Sequence, residues 1–293
     1  MSMRKSLHIG LNRVDPDQYG GWDGALAGCI NDANDMKEIA ESRGFTAEQL
    51  IDEQATIGNV RDKLNQYAAE LEDGDFFFLT YSGHGGQVPD QNGDEIDGYD
   101  ETWCLYDTEL VDDSLYGALC TFKKGVRIFM MSDSCHSETV ARRGPGRDRI
   151  EVREQRRAFV DNQTGPKSKR APLEFTTAEY AKNEQAYEEQ KTWWPPKQLP
   201  GADSPAKVVL ISGCKDEQTS MDGPGNGAFT YAFLQVWKEV GGDYRKGYKD
   251  LQQEVLAAIE NSDQEPQIFF YGDGVKAMLA QQPFSDENAV AAV

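Results

Sequence analysis

Strand-like and helix-like patterns alternate along the chain. Strand-like runs lie at 6–14, 75–81, 126–131, 208–211 and 267–271. Those at 75–81, 126–131 and 208–211 are almost continuously apolar, as expected of strands covered on both faces. Between the runs, apolar residues recur every three or four positions. Leu26, Ile30, Ala33, Met36 and Ile39 predict a helix over 25–42, which Gly44 ends. Val60, Leu64, Tyr67 and Leu71 predict a second over 57–71. Two more are predicted over 229–240 and 248–261. This alternation predicts an α/β fold with a mainly parallel central sheet flanked by helices.

The pattern breaks in the middle of the chain. Between 142 and 170 stand ten Lys/Arg against Asp148, Glu151, Glu154 and Asp161, an excess of +6. Trp193-Trp194-Pro195-Pro196, Pro200 and Pro205 follow. The predicted organisation is a large part over 1–142, a basic and Pro-rich insertion or linker over 143–204, and a small part over 205–293. Residues 177–191 of the insertion suit a helix. The 293 residues suffice for one such domain with its own core.

Charge narrows the partners. The net charge is −20, and −26 outside the basic stretch. Nucleic acid and anionic membranes would be repelled, whereas basic protein segments or divalent cations would be attracted. The five Cys form no CxxC pair, which disfavours a disulfide framework or zinc ribbon and points to the reducing cytoplasm. The N-terminal residues suit a first strand and not a signal peptide. The apolar run from Phe76 to Leu79, like every other in the chain, is too short to span a bilayer.

Reactive groups follow two of the apolar strands. The first runs into Ser82-Gly83-His84-Gly85-Gly86, the second into Asp133-Ser134-Cys135-His136. Binding and catalytic groups in open parallel sheets gather at the carboxyl ends of strands. If the two strands are neighbours, His84 and Cys135 emerge on one edge, and an imidazole there can activate the thiol as a nucleophile. His8 lies inside a strand. His136 adjoins Cys135, and neighbouring side chains of an extended segment diverge. His84, on a glycine-flanked turn, is therefore the candidate base. The backbone N–H groups of Gly85 and Cys135 are candidate oxyanion donors. Cys104 and Cys120 are expected to be small buried hydrophobes.

Tyr81-Ser82-Gly83-His84-Gly85 and Asp133-Ser134-Cys135-His136-Ser137 resemble the two catalytic motifs of the metacaspases, caspase-like cysteine peptidases. Gly28-Cys29-Ile30-Asn31-Asp32-Ala33 is similar to their first-helix motif. The stretches from Ser212 to Ser220 and from Gly227 to Phe233 are similar to their small-subunit motifs. The resemblance implies the caspase–hemoglobinase fold, His84 as base, Cys135 as nucleophile, and a monomer. It implies cleavage after Arg or Lys, with Asp32 and Asp133 lining the primary pocket and Cys29 and Ser82 nearby. Carboxylates suit a basic side chain and reject an acidic one. Arg142, Arg143, Arg156, Arg157 and the Lys169-Arg170 pair then become candidate self-cleavage positions, within a segment expected to cover the acidic site until cut.

Glu138 stands where the family motif continues with glycine. Calcium is the cofactor the resemblance implies, with Asp100, Asp112 and Asp113 as candidate ligands among the oxygen-rich positions that suit a hard cation. Arg142 replaces a further carboxylate of that pattern and opposes a metal there. The acidic run Asp90–Glu101 half-matches a calcium loop, but Glu95 takes the place of the required glycine. The competing expectation is a weak or inactive caspase-like scaffold that only binds basic segments.

Overall fold

The computed structural model describes residues 2–90, 98–134, 167–195, 205–214, 220–259 and 264–286. Its strands are β1 (Arg4–Gly10), β2 (Thr46–Ile51), β3 (Phe76–Ser82), β4 (Gly85–Pro89), β5 (Tyr99–Cys104), β6 (Glu109–Val111), β7 (Arg127–Asp133), β8 (Lys167–Ser168), β9 (Lys207–Ser212), β10 (Met221–Asp222) and β11 (Gln267–Tyr271). Its helices are α1 (Cys29–Ser42), α2 (Ile57–Glu70), α3 (Asp112–Cys120), α4 (Leu173–Lys182), α5 (Glu184–Trp193), α6 (Ala228–Glu239), α7 (Tyr248–Ala258) and α8 (Val275–Leu279).

Six strands form the central sheet in the order β11-β9-β7-β3-β1-β2. All neighbours run parallel except β11, which pairs antiparallel with β9. Side chains alternate between the two faces, so one apolar strand feeds two cores. Phe77 and Leu79 of β3 pack with Val60, Leu64 and Tyr67 of α2 and with Leu115 and Leu119 of α3. Phe76 and Phe78 pack on the other face with Met36 and Ile39 of α1, Phe233 of α6 and Leu251 of α7. Every residue of β3 and of β7 is buried, which is why both lack a polar period. Emptying one such position, as in Phe77→Ala, costs about 3–5 kcal/mol in a close-packed core.

The chain turns from β1 to β2 on one side and to β3 on the other, so the topological switch point lies between β1 and β3. In open α/β sheets, the crevice beyond the carboxyl ends at such a point is where ligands bind. Here it is bordered by the start of α1 and the end of β3.

Beyond that edge, β4, β5 and β6 form a small antiparallel sheet. Helices α4 and α5, from the stretch expected to be an insertion, dock on it. Thr176 Oγ1 donates to the Gln87 carbonyl at 3.1 Å, and Gln190 bonds both the Val111 N–H and the Glu109 carbonyl. Among the described residues, 167–195 are thus a packed element and not a bare loop. Among the same residues, no helix is long and apolar enough to cross a membrane.

Candidate active site

Ser82, the last residue of β3, stands opposite Asp133, the last residue of β7. The two strands expected to carry the reactive motifs are therefore parallel neighbours, and their carboxyl ends reach one edge. The Gly83-His84 turn leads straight from β3 into β4. The Tyr81 hydroxyl donates to the His84 carbonyl at 2.7 Å and occupies the space a Cβ at position 83 would need, 2.6 Å away, so this turn requires glycine. Cys135 follows Asp133 by two residues and lies outside the described residues, as do Glu138, Arg142, Arg143, Arg156 and Arg157.

The His84 ring is buried. Its Nε2 lies 2.9 Å from the Gly24 carbonyl oxygen. A carbonyl only accepts, so Nε2 carries the proton and Nδ1 keeps the lone pair. Nδ1 makes no hydrogen bond among the described residues. Trp22 packs at a tilt on the imidazole, 4.7 Å between ring centres, and also stacks on Phe175 of α4. Burial lowers the His84 pKa to about 4, against the pull of the Gly24 carbonyl. The ring is neutral at pH 7, the form that can take a proton from a thiol.

Below this edge lies an acidic pocket. Asp32 comes from the first turn of α1, Asp133 from the end of β7, and Ser82 from the end of β3. Ser82 Oγ donates to Asp32 Oδ2 at 2.6 Å. The N-terminus of α6 supports both carboxylates. The Gly227 N–H donates to Asp32 Oδ1 at 3.0 Å, and Thr230 donates to Asp133 Oδ2 through Oγ1 at 2.8 Å and N–H at 3.2 Å. Helix N-termini stabilise negative charge in this way. Asn226 Nδ2 on Asp32 and Ser220 Oγ on Asp133 complete the set.

The pocket holds the side chain of Lys169. Its ammonium lies 2.9 Å from Ser82 Oγ, 3.1 Å from Asp133 Oδ2 and 3.3 Å from Asp32 Oδ2. Three acceptors thus meet the three donors of one ammonium. Lys169 is wholly buried. Burial alone would push its pKa down, but the carboxylates of Asp133, Asp32 and Asp222 outweigh it and hold the amine charged. Burial raises Asp32 to about 6, with Lys169 pulling downward and Asp133 adding to the rise.

The backbone around Lys169 is held as tightly as its side chain. Lys167 and Ser168 of β8 pair antiparallel with Asp222 and Met221 of β10. The Lys169 N–H donates to the Ser220 carbonyl at 2.9 Å, and the Lys169 carbonyl accepts the Gly85 N–H at 2.9 Å. The Ala171 N–H then donates back to the Gly85 carbonyl. A short extended segment is therefore clamped between β10 and the start of β4, with a basic side chain pointing down and its carbonyl on the expected oxyanion donor. Of the basic pair singled out in the sequence, Lys169 fills the pocket and Arg170 is exposed.

Cys29 is buried, with Sγ 4.0 Å from Asp222 Oδ1, and burial pushes its thiol pKa up. Cys104 is buried as expected, but Cys120, at the end of α3, is only half-buried against the core edge. His8 is a satisfied core histidine, bonded to Thr80 and Ser6. Asp100 lies on β5, while Asp112 and Asp113 open α3. Among the described residues, no three His, Cys, Asp or Glu side chains gather so as to hold a metal ion. Residues 91–97 of the acidic run lie outside the described part.

Sequence reasoning missed Trp22, Gly24 and Asp222, and it placed Ser220 and Gly227 in family-like motifs without giving either a part in the pocket. Asp222 accepts from the Ala27 N–H at 2.7 Å and the Gly28 N–H at 2.9 Å, fixing the start of the helix that delivers Asp32. Nothing in its sequence context marks it.

A neutral imidazole, an N–H aimed at a carbonyl and a cation pocket below it form a layout suited to acyl transfer beside a basic residue. The caspase domain family matches residues 13–273 of the chain. The chain belongs to the caspase family of cysteine peptidases and is metacaspase-like. Metacaspase-1 of Mycosarcoma maydis is 31% identical over 300 residues, covering 90% of this chain and 69% of that protein. Metacaspase-1 of Schizosaccharomyces pombe is 30% identical over 268 residues, covering 80% of this chain and 59% of that one. The chain thus spans about three fifths to two thirds of these curated relatives. A crystal structure of a protein from Geobacter sulfurreducens superposes with a TM-score of 0.80 at 39% identity, covering 97% of this chain and 99% of that one.

Proposed function

We propose that this metacaspase-like protein is a cysteine endopeptidase that cuts after Lys or Arg and processes its own chain between Lys169 and Arg170. One observation carries the reading: Lys169 lies in the Asp32–Ser82–Asp133 pocket while its own carbonyl accepts the Gly85 N–H. The segment is bound as a substrate would be, in an extended strand and with the bond to Arg170 next to the His84 edge.

His84 Nδ1 takes the Cys135 thiol proton, and the thiolate adds to the carbonyl carbon of the basic residue. The developing oxyanion is met by the Gly85 N–H, with the Cys135 N–H as second donor. Collapse breaks the C–N bond, and the amine leaves with the proton held by His84. Water, deprotonated by His84, then hydrolyses the thioester and frees the thiol. Until cut, Lys169 competes with any added substrate.

The test is a set of fluorogenic peptides with Lys, Arg or Asp before the scissile bond, incubated with the protein and with Cys135→Ala. Turnover of the Lys and Arg peptides alone, abolished in Cys135→Ala, is the expected result. Equal turnover of the Asp peptide sinks the specificity. Binding of basic peptides without any Cys135-dependent cleavage would point instead to the scaffold.

A further inference from the structure

Gly227 occupies an ordinary region of backbone space, with φ −60° and ψ 150°. Any residue adopts that conformation, so the main chain does not call for glycine here. The pocket does. A Cβ at this position would meet the Lys169 ammonium and Asp133 Oδ2 closer than real Cβ atoms come, and would lie 3.0 Å from Asp32 Oδ2. Asp133 cannot swing aside cheaply, because Thr230 and Ser220 hold both of its oxygens. Nor can Gly227 retreat, since its N–H is bonded to Asp32. The absent side chain and the bound amine share one volume.

We infer that Gly227 is a specificity-determining residue that sets the depth of the basic pocket, leaving the space a lysine-length side chain needs for its terminal amine. This rests on the proposed preference for Lys or Arg. A methyl group at 227 would fill the place of the amine. A side chain one methylene shorter, such as ornithine, would then keep its charge beside Asp32 and Asp133, while lysine would be pushed out. One methylene at a fitted site is worth about tenfold or more in discrimination.

The experiment compares peptides that differ only in having lysine or ornithine before the scissile bond, using the full chain and Gly227→Ala. The expected result is that the lysine-to-ornithine ratio of kcat/KM falls by about tenfold in Gly227→Ala, with the change in KM. An unchanged ratio would overturn the inference. Thermal unfolding gives a second reading if Gly227→Ala is inactive or the protein cleaves neither peptide. Gly227→Ala should lower Tm more with Lys169 present than in a Lys169→Ala background, because the methyl then competes with no amine. Equal losses in both backgrounds would overturn the inference. Failure of the wild type to cleave basic peptides would remove the proposed activity, while the unfolding comparison would still judge the role of Gly227.

Discussion

The main-chain carbonyl of Lys169 accepts the N–H of Gly85 at 2.9 Å, while the Lys169 ammonium lies 3.1 Å from Asp133. On the proposed reading, one residue thereby spans the oxyanion side and the pocket side of the site, and an added substrate must displace it. A tethered occupant acts at an effective concentration of about the millimolar range. Lys169→Ala should therefore raise turnover of a basic peptide at low substrate concentration, and about tenfold is expected if the segment closes the site most of the time. The same variant should lose the new N-terminus at Arg170 that sequencing would find in the wild type. Unchanged turnover together with an unchanged cleavage pattern would count against the internal occupant.

The two carboxylates should matter by charge and not by shape. Asp133→Asn preserves volume but removes one of the two negative groups facing the ammonium. Truncating one partner of a buried charge pair costs about 2–5 kcal/mol, or a fall of at least about 30-fold in kcat/KM for Lys and Arg peptides. Asp32→Asn should act alike, since both face the same amine. Steady-state kinetics on both peptides checks this. Loss in kcat alone, with KM unchanged, would argue that the residues act elsewhere than in binding the basic side chain.

Much of this arrangement was legible in the sequence, and the reason is burial on both faces. β3 and β7 sit in the middle of the sheet, so their residues read as unbroken apolar runs, and the reactive groups stand out where the runs end. β4, β5 and β6 were not legible. They carry Asp100, Glu101, Thr102 and Glu109, buried polar residues that disguise a strand as a loop. β8 and β10 are two residues each and pair through main-chain groups, which leave no trace in side-chain pattern. Lys169 was one of ten basic residues in its stretch, and only the fold selects it. Gly227 and Asp222 act through space and through backbone N–H groups, so composition marks neither.

The acidic limb of the activity profile should report Asp32 and not His84. His84 stays neutral down to about pH 4, whereas Asp32 must lose a proton near pH 6 to bind a cation well. In kcat/KM for basic peptides, activity should fall as pH drops through about 6. Lys169 pulls the Asp32 pKa down, so Lys169→Ala should move this limb to higher pH. A limb near pH 4 in both proteins would assign it to the histidine instead.

Glu109 and Glu179 form a second pair of buried carboxylates, where α4 docks on β6. Glu109 accepts from Thr102, and Glu179 accepts from Thr108, Tyr187 and, at 2.8 Å, Asn183. Burial raises the Glu109 pKa, and the charge of Glu179 raises it further. Burial also raises Glu179, although its three donors oppose the shift. A carboxylate whose folded pKa lies above its unfolded value stabilises the fold at low pH, and that contribution is lost as pH rises through the folded pKa. The docking of α4 should therefore weaken as pH rises. Glu109→Gln removes one of the repelling charges and should raise Tm above pH 7 by a few degrees, while leaving it nearly unchanged near pH 4. Thermal unfolding at both pH values checks this, and a Tm loss of equal size at both would show that the Glu109 side chain stabilises the docked helix regardless of its charge.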